Sequence, residues 1–142
     1  MRKLTSFLLL LTTIVLILSS CGYEKLKIEN YDWKMRYVMH GGDNQVVIDA
    51  VGEDDPSSDA KTVHITLKAE NGKITVTDST NNRTYEGSYT VSGKTPREIK
   101  YNVVIDGIAG HGAVAMTTYY DGKEEPTLPI SLGDYSIYFY AQ

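Results

Sequence analysis

The sequence predicts an all-β domain in residues 31–142, built as a single antiparallel meander of about eight or nine short strands. Apolar and polar residues alternate with period two along the whole segment, and turn residues recur about every 8–14 positions. The chain has 11 Tyr against 2 Phe, together with frequent Val and Thr, a composition typical of strands. Such a meander closes as a barrel or packs as a two-sheet sandwich. Closure leaves no edge strand, which favours the barrel.

The first predicted strand has an aromatic and methionine face opposite a mostly charged one. That apolar face consists of Tyr31, Trp33, Met35, Tyr37 and Met39. Four more strands are predicted at 46–51, 62–69, 74–77 and 84–91. Asn71-Gly72 is the strongest hairpin signal in the chain, because a type I′ turn needs positive φ at both central residues.

The second half of the domain continues the alternation. Four strands are predicted at 99–105, 112–120, 128–132 and 135–141. Residues 92–97 are predicted to form a longer turn, and Asp106-Gly107 a tight one. Gly110 and Gly112 indicate a bulge or sharp bend, while Pro129 indicates an edge or irregular strand.

Residues 1–20 have the pattern of an export signal rather than of a folded element. Arg2 and Lys3 form a positive start, and residues 7–18 form an apolar run that is too short for the ~20 residues of a membrane-spanning helix. The run ends in Leu-Ser-Ser-Cys at 18–21, which resembles the lipobox of bacterial lipoproteins. That resemblance implies removal of residues 1–20 and attachment of fatty acyl chains, such as palmitate, to Cys21.

The lipobox resemblance implies an extracytoplasmic protein anchored to the cell membrane, or to the outer membrane if the host has one. Cys21 is the only cysteine, so the exported domain has no disulfide. Residues 21–30 are predicted to be the lipidated cysteine and a short tether. Loss of residues 1–20 moves the formal charge from −4 to −6, which argues against nucleic acid as a partner.

The domain also resembles the lipocalin-like (calycin) lipoproteins. The resemblance is carried by Trp33 in the first strand, Tyr-Glu-Gly-Ser-Tyr at 85–89 and the aromatic close at 135–140. Tyr31 stands where true lipocalins have glycine, two residues before the tryptophan. The resemblance implies a lipocalin-like barrel and the binding of a small apolar ligand.

Two groups of aromatic residues are the candidate binding residues. The candidate ligand-binding residues are Trp33, Tyr37, Tyr85, Tyr89 and Tyr101. The candidate interaction surface consists of Tyr119, Tyr138 and Tyr140. Tyrosine suits both roles, since it joins a large apolar ring to a polar hydroxyl and is enriched at interfaces. Whether the inward aromatic stripe is packed core or lines a cavity stays open.

We expect neither a metal site nor catalysis, and no cofactor. The acidic segment 53–59 lacks the Gly and Glu of a calcium loop, and His40, His64 and His111 lie far apart in sequence. No nucleophile is paired with a base.

The expected function is a non-enzymatic binding or interaction module for a protein, a glycan or a small ligand. Alternatives are a carrier of one apolar molecule, and a tethered inhibitor of a host hydrolase such as lysozyme. Gly-His-Gly-Ala at 110–113 resembles the glycine-rich inhibitory loop of such inhibitors.

Overall fold

The computed structural model describes residues 24–50 and 63–142, which form one antiparallel sheet of nine strands. The strands are β1 (Trp33–His40), β2 (Val46–Asp49), β3 (Ile65–Glu70), β4 (Lys73–Asp78), β5 (Arg83–Thr95), β6 (Glu98–Ile105), β7 (Ile108–Thr118), β8 (Glu124–Leu132) and β9 (Tyr135–Ala141). From β3 onwards each strand pairs with the next, and β9 returns to pair with β1. The predicted all-β meander and its closure as a barrel are confirmed, and the sandwich is excluded. The predictions for Cys21, the export signal and the acidic segment 53–59 lie outside the described residues.

Eight strands close the barrel, and β2 is additional. The first half of β1 pairs with β3 through Trp33 and Lys34, and its second half pairs with β2 through residues 37–39. The barrel wall is therefore continuous between β1 and β3 at one end only. At the other end, β2 extends the wall beside β1.

A bulge in β1 overturns the predicted single aromatic face. On β9, Phe139 and Tyr138 are consecutive, yet their partners on β1 are Met35 and Tyr37, so Arg36 is an extra residue. A bulge of this kind reverses the phase of the alternation. Trp33 and Met35 point inward, and Val38 takes the next inward position. Tyr37 and Met39, predicted on the inward face with Trp33, are only half-buried.

The two tight turns that the sequence predicts agree with the observed backbone. Asn71 and Gly72 have φ of 50° and 79°, and Asp106 and Gly107 have φ of 51° and 78°. Positive φ at both positions is the type I′ signature. The predicted turn at 92–97 is shorter than expected: β5 continues to Thr95 past a register shift between Val91 and Gly93.

Two predictions about β7 and β8 are corrected. The β6–β7 register has no shift at Gly110 or Gly112, so neither marks a bulge there. These glycines instead permit close packing, since a Cβ on Gly110 would lie 2.0 Å from the Ser131 carbonyl oxygen. β8 is not an edge strand, because it pairs with both β7 and β9. Its ladder to β7 skips Pro129, which has no N–H to donate.

One end of the barrel, called the closed end here, is covered by the chain that precedes β1. Leu26 and Ile28 are 3% and 1% exposed, and a 3-10 helix, Ile28–Asn30, leads into the barrel. The Trp33 Nε1–H donates to the Ile28 carbonyl at 2.8 Å. Residues 26–30 were predicted as tether, but they pack as part of the domain, because two apolar side chains and the backbone find partners in the barrel.

Candidate functional site

An apolar cavity of about 550 Å³ lies at the end of the barrel opposite the closed end, called the open end here. Every strand contributes to its wall. The lining residues are Met35, Val38, Val47, Ile48, Ile65, Val76, Tyr85, Ile105, Ile108, Leu132, Tyr135, Ile137 and Phe139. None of these thirteen described lining residues has a charged side chain. The only polar atoms that their side chains offer, apart from the Met35 sulfur, are the hydroxyls of Tyr85 and Tyr135.

The cavity extends from exposed side chains at its rim to buried side chains at its floor. Val47 and Ile108 at the rim are 50% and 53% exposed, whereas Met35 and Phe139 at the floor are 1% and 3% exposed. Exposed aliphatic side chains around a concave opening are unfavourable in water unless something covers them. The shape therefore suits one apolar molecule entering from the open end.

The turns around the cavity mouth are acidic. Asp43, Asp106 and Asp134 are all exposed and lie in three different turns of the open end. His40 ends β1 at the same mouth, with Nδ1 3.1 Å from an Asp43 carboxylate oxygen and its ring edge-on to Tyr135. Asp43 also accepts from the Gln45 backbone N–H, and these two contacts hold the pKa of that carboxyl below its usual range.

The structure separates the five candidate ligand-binding residues. Only Tyr85 lines the cavity. Trp33, Tyr89 and Tyr101 are buried at the closed end, where they hold the N-terminal segment. Tyr37 lies on the outer side of the barrel. The inward stripe of the sequence is thus core at Trp33, while the cavity lies further along the strands.

Glu29 and two tyrosines fix the N-terminal segment at the closed end. The Tyr89 hydroxyl donates to the Glu29 carboxylate, which also accepts from the Asn71 backbone N–H at 3.1 Å. The Tyr101 hydroxyl accepts from the Ile28 N–H at 3.1 Å. Burial of the Tyr89 ring, reinforced by the hydrogen bond to Glu29, raises its pKa to about 12. These contacts make the closed end a structural seal.

A second concave surface lies on the outer side of the barrel, across β1, β7, β8 and β9. This outer groove has a volume of about 540 Å³. It is lined by Arg36, Tyr37, Thr117, Tyr119, Thr127, Pro129, Tyr138, Phe139 and Tyr140. All three residues predicted as an interaction surface meet here. The β1 bulge adds Arg36 and Tyr37, which period-two alternation alone does not place together.

The side chains of the outer groove hold one another in position through ring stacking and a hydrogen bond. The rings of Tyr37 and Tyr138 stack with centroids 4.5 Å apart, and burial raises the pKa of Tyr37. Arg36 Nη1 donates to the Tyr119 hydroxyl at 3.2 Å, and the guanidinium lies 5.9 Å from that ring's centroid. These contacts hold Tyr37 and Arg36 in place before any partner binds.

In the part of the chain that the structure describes, the candidate metal ligands and the glycine-rich segment 110–113 do not form a site. Within residues 24–50 and 63–142, no group of three His, Cys, Asp or Glu side chains is arranged to hold a metal ion. His40 ends β1, His64 immediately precedes β3, and His111 lies within β7. Residues 110–113, expected to resemble an inhibitory loop, lie inside β7 and pair with β6 throughout. They therefore offer no loop to a hydrolase.

No family model, curated protein or solved structure matches the chain. Among the residues with described positions, no helix is long and apolar enough to cross a membrane.

Proposed function

We propose that the protein is an extracytoplasmic lipoprotein that binds one small apolar molecule in the open-end cavity and performs no catalysis. The observation that carries this proposal is the lining: thirteen residues around about 550 Å³, none of them charged. Small-molecule sites in proteins typically enclose roughly 300–1,000 Å³ and are lined mainly by apolar side chains. Burial of apolar surface supplies the affinity, at about 25 cal/mol per Å².

The same lining indicates the chemistry of the ligand. A carboxylate or ammonium group inside the cavity would lose its hydration without gaining a charged partner among the described residues. The buried part of the ligand is therefore uncharged, with at most one or two polar atoms facing Tyr85 or Tyr135. An acyl chain, a terpenoid or an aromatic ring system has this character.

The membrane anchor belongs to the same proposal. It is supported by the lipobox pattern at 18–21 and by the single cysteine at its end. Two or three acyl chains on Cys21 give a lasting anchor, where a single chain gives only marginal binding.

Filling the cavity tests the proposal. Ile65 and Thr66 are neighbours on β3, and their side chains point to opposite sides of the sheet: Ile65 lines the cavity and Thr66 is exposed outside. Ile65→Trp is expected to weaken binding of N-phenyl-1-naphthylamine, a neutral apolar fluorophore, by about tenfold or more, which corresponds to about 1.4 kcal/mol. Fluorescence titration measures the dissociation constant.

Thr66→Trp is the matched control, since it adds the same ring on the outer side of the same strand. It is expected to bind the fluorophore with the affinity of the unmodified protein. Equal affinity for all three proteins, or no binding by the unmodified one, would contradict the proposal.

Binding of a protein or glycan partner on the outer groove is the second candidate function. The observation in its favour is the preordered aromatic surface, with Tyr37 stacked on Tyr138 and Arg36 held by Tyr119. Tyrosine and arginine are among the side chains that are enriched at binding interfaces. The groove and the cavity share only Phe139 among their lining residues, so the two functions are compatible.

A further inference from the structure

The N-terminal segment leaves the barrel at the closed end. Leu26 and Ile28 are buried there, and Asn30 and Tyr31 donate hydrogen bonds to the carbonyls of Glu24 and Lys25. The packed chain thus extends back to Glu24. Only residues 22 and 23 separate Glu24 from Cys21.

The short connection limits which end of the barrel reaches the anchoring membrane. Three residue steps span at most about 10 Å. A β-strand of eight residues, the length of β1, is about 26 Å long, and the tilt of strands in a barrel reduces its height only in part. A tether of about 10 Å is shorter than the barrel, so the anchor does not let the molecule invert and place its open end on the same membrane.

Charge at the two ends favours the same orientation. The mouth carries Asp43, Asp106 and Asp134 in separate exposed turns. Anionic lipid headgroups repel acidic side chains within a Debye length of the surface, about 8 Å at physiological salt.

The closed end offers a more compatible surface. A depression of about 500 Å³ there is lined by Lys25, Leu26, Pro96, Arg97, Met116, Thr118 and Glu124. Met116 is 42% exposed, beside two basic side chains and one acidic one. An exposed apolar side chain next to Lys and Arg suits the boundary between water and anionic headgroups.

From these observations we infer that the closed-end surface around Lys25, Arg97 and Met116 lies against the lipid surface, and that the cavity mouth faces away from the membrane that holds the anchor. The inference rests on the lipid anchor of the proposed function. The orientation also determines where the ligand enters and leaves the cavity. The apolar ligand is exchanged through the mouth with the aqueous side or with a partner there, and the mouth does not contact the anchoring bilayer.

Quenching of two single labels tests the orientation. The mature protein, acylated at Cys21 and purified from its host, has no other thiol, so one added cysteine accepts one fluorophore. Lys94→Cys labels the closed end beside the β5–β6 turn, and Asp134→Cys labels the turn between β8 and β9 at the mouth. Both positions are exposed. The labelled proteins are reconstituted into vesicles of phosphatidylcholine and phosphatidylglycerol that contain a nitroxide-headgroup lipid.

The label at position 94 is expected to be quenched several-fold more strongly than the label at position 134. Equal quenching, or stronger quenching at position 134, would overturn the inference. Emission of the buried Trp33 shows that each labelled protein is folded. The intact mass separates the two proposals: an unacylated Cys21 removes the anchor and this inference together, whereas an acylated protein with reversed quenching overturns the orientation alone.

Discussion

The tyrosines of this protein have three different structural roles. Tyr85 faces the apolar cavity, Tyr89 and Tyr101 hold the N-terminal segment, and Tyr37 and Tyr138 stack on the outside. Alternation identifies inward positions such as Tyr89 and Tyr101 but does not say at which end of the barrel they lie. That depends on the length and stagger of all the strands. Alternation therefore identified positions that point into the barrel, but it did not show which of them line the cavity.

The raised pKa of Tyr89 also predicts how the stability of the fold depends on pH. Its pKa is raised from 10.0 to about 12 in the folded protein, so its protonated form adds stability that is fully present below pH 10. That contribution is expected to be lost as pH rises from 10 to about 12, because the unfolded chain releases the proton first. Urea denaturation at a series of pH values measures the loss.

Tyr89→Phe is expected to lower stability at neutral pH and to flatten part of the alkaline decline. Tyr120→Phe is the control, since that side chain is fully exposed and its substitution is expected to leave the profile unchanged. A Tyr89→Phe profile parallel to that of the unmodified protein would contradict the role assigned to the Tyr89–Glu29 contact.

At the scale of elements, the packing of the N-terminal segment against the barrel could not be predicted from the sequence. Residues 24–30 have no long periodic pattern, so they were predicted as tether. Leu26 and Ile28 nevertheless fill the closed end, because the interior of an eight-stranded barrel is wide enough to take side chains. The bulge at Arg36 was missed for a similar reason: it appears only when β1 is paired with β9.

Substitution of Ile28 tests the seal. Ile28→Ala is expected to lower the free energy of unfolding by about 2–5 kcal/mol, the usual effect of removing a buried isoleucine side chain. Lys25→Ala, three residues earlier and exposed, is expected to change it by less than about 0.5 kcal/mol. Urea denaturation followed by Trp33 fluorescence measures both. Similar small effects for the two variants would show that the segment is a tether after all.

The whole molecule is a barrel with two unlike ends. The closed end is packed and hydrogen-bonded, whereas the open end combines an apolar cavity with acidic turns. Turn chemistry and alternation sufficed to predict the strands and their order, since each strand from β3 onwards pairs with its sequence neighbour. They did not predict the cavity. Its wall draws on all nine strands and on residues such as Ile65 and Leu132 that look like ordinary core in sequence.

Native mass spectrometry of the mature protein, released from the membranes of its own host without denaturation, tests the central claim most directly. The proposal predicts a species heavier than the acylated chain by the mass of one small molecule, and loss of that species in Ile65→Trp but not in Thr66→Trp. A homogeneous protein that carries no added mass would contradict ligand binding in the cavity. The outer groove around Tyr37 and Tyr138 would then be the remaining candidate site.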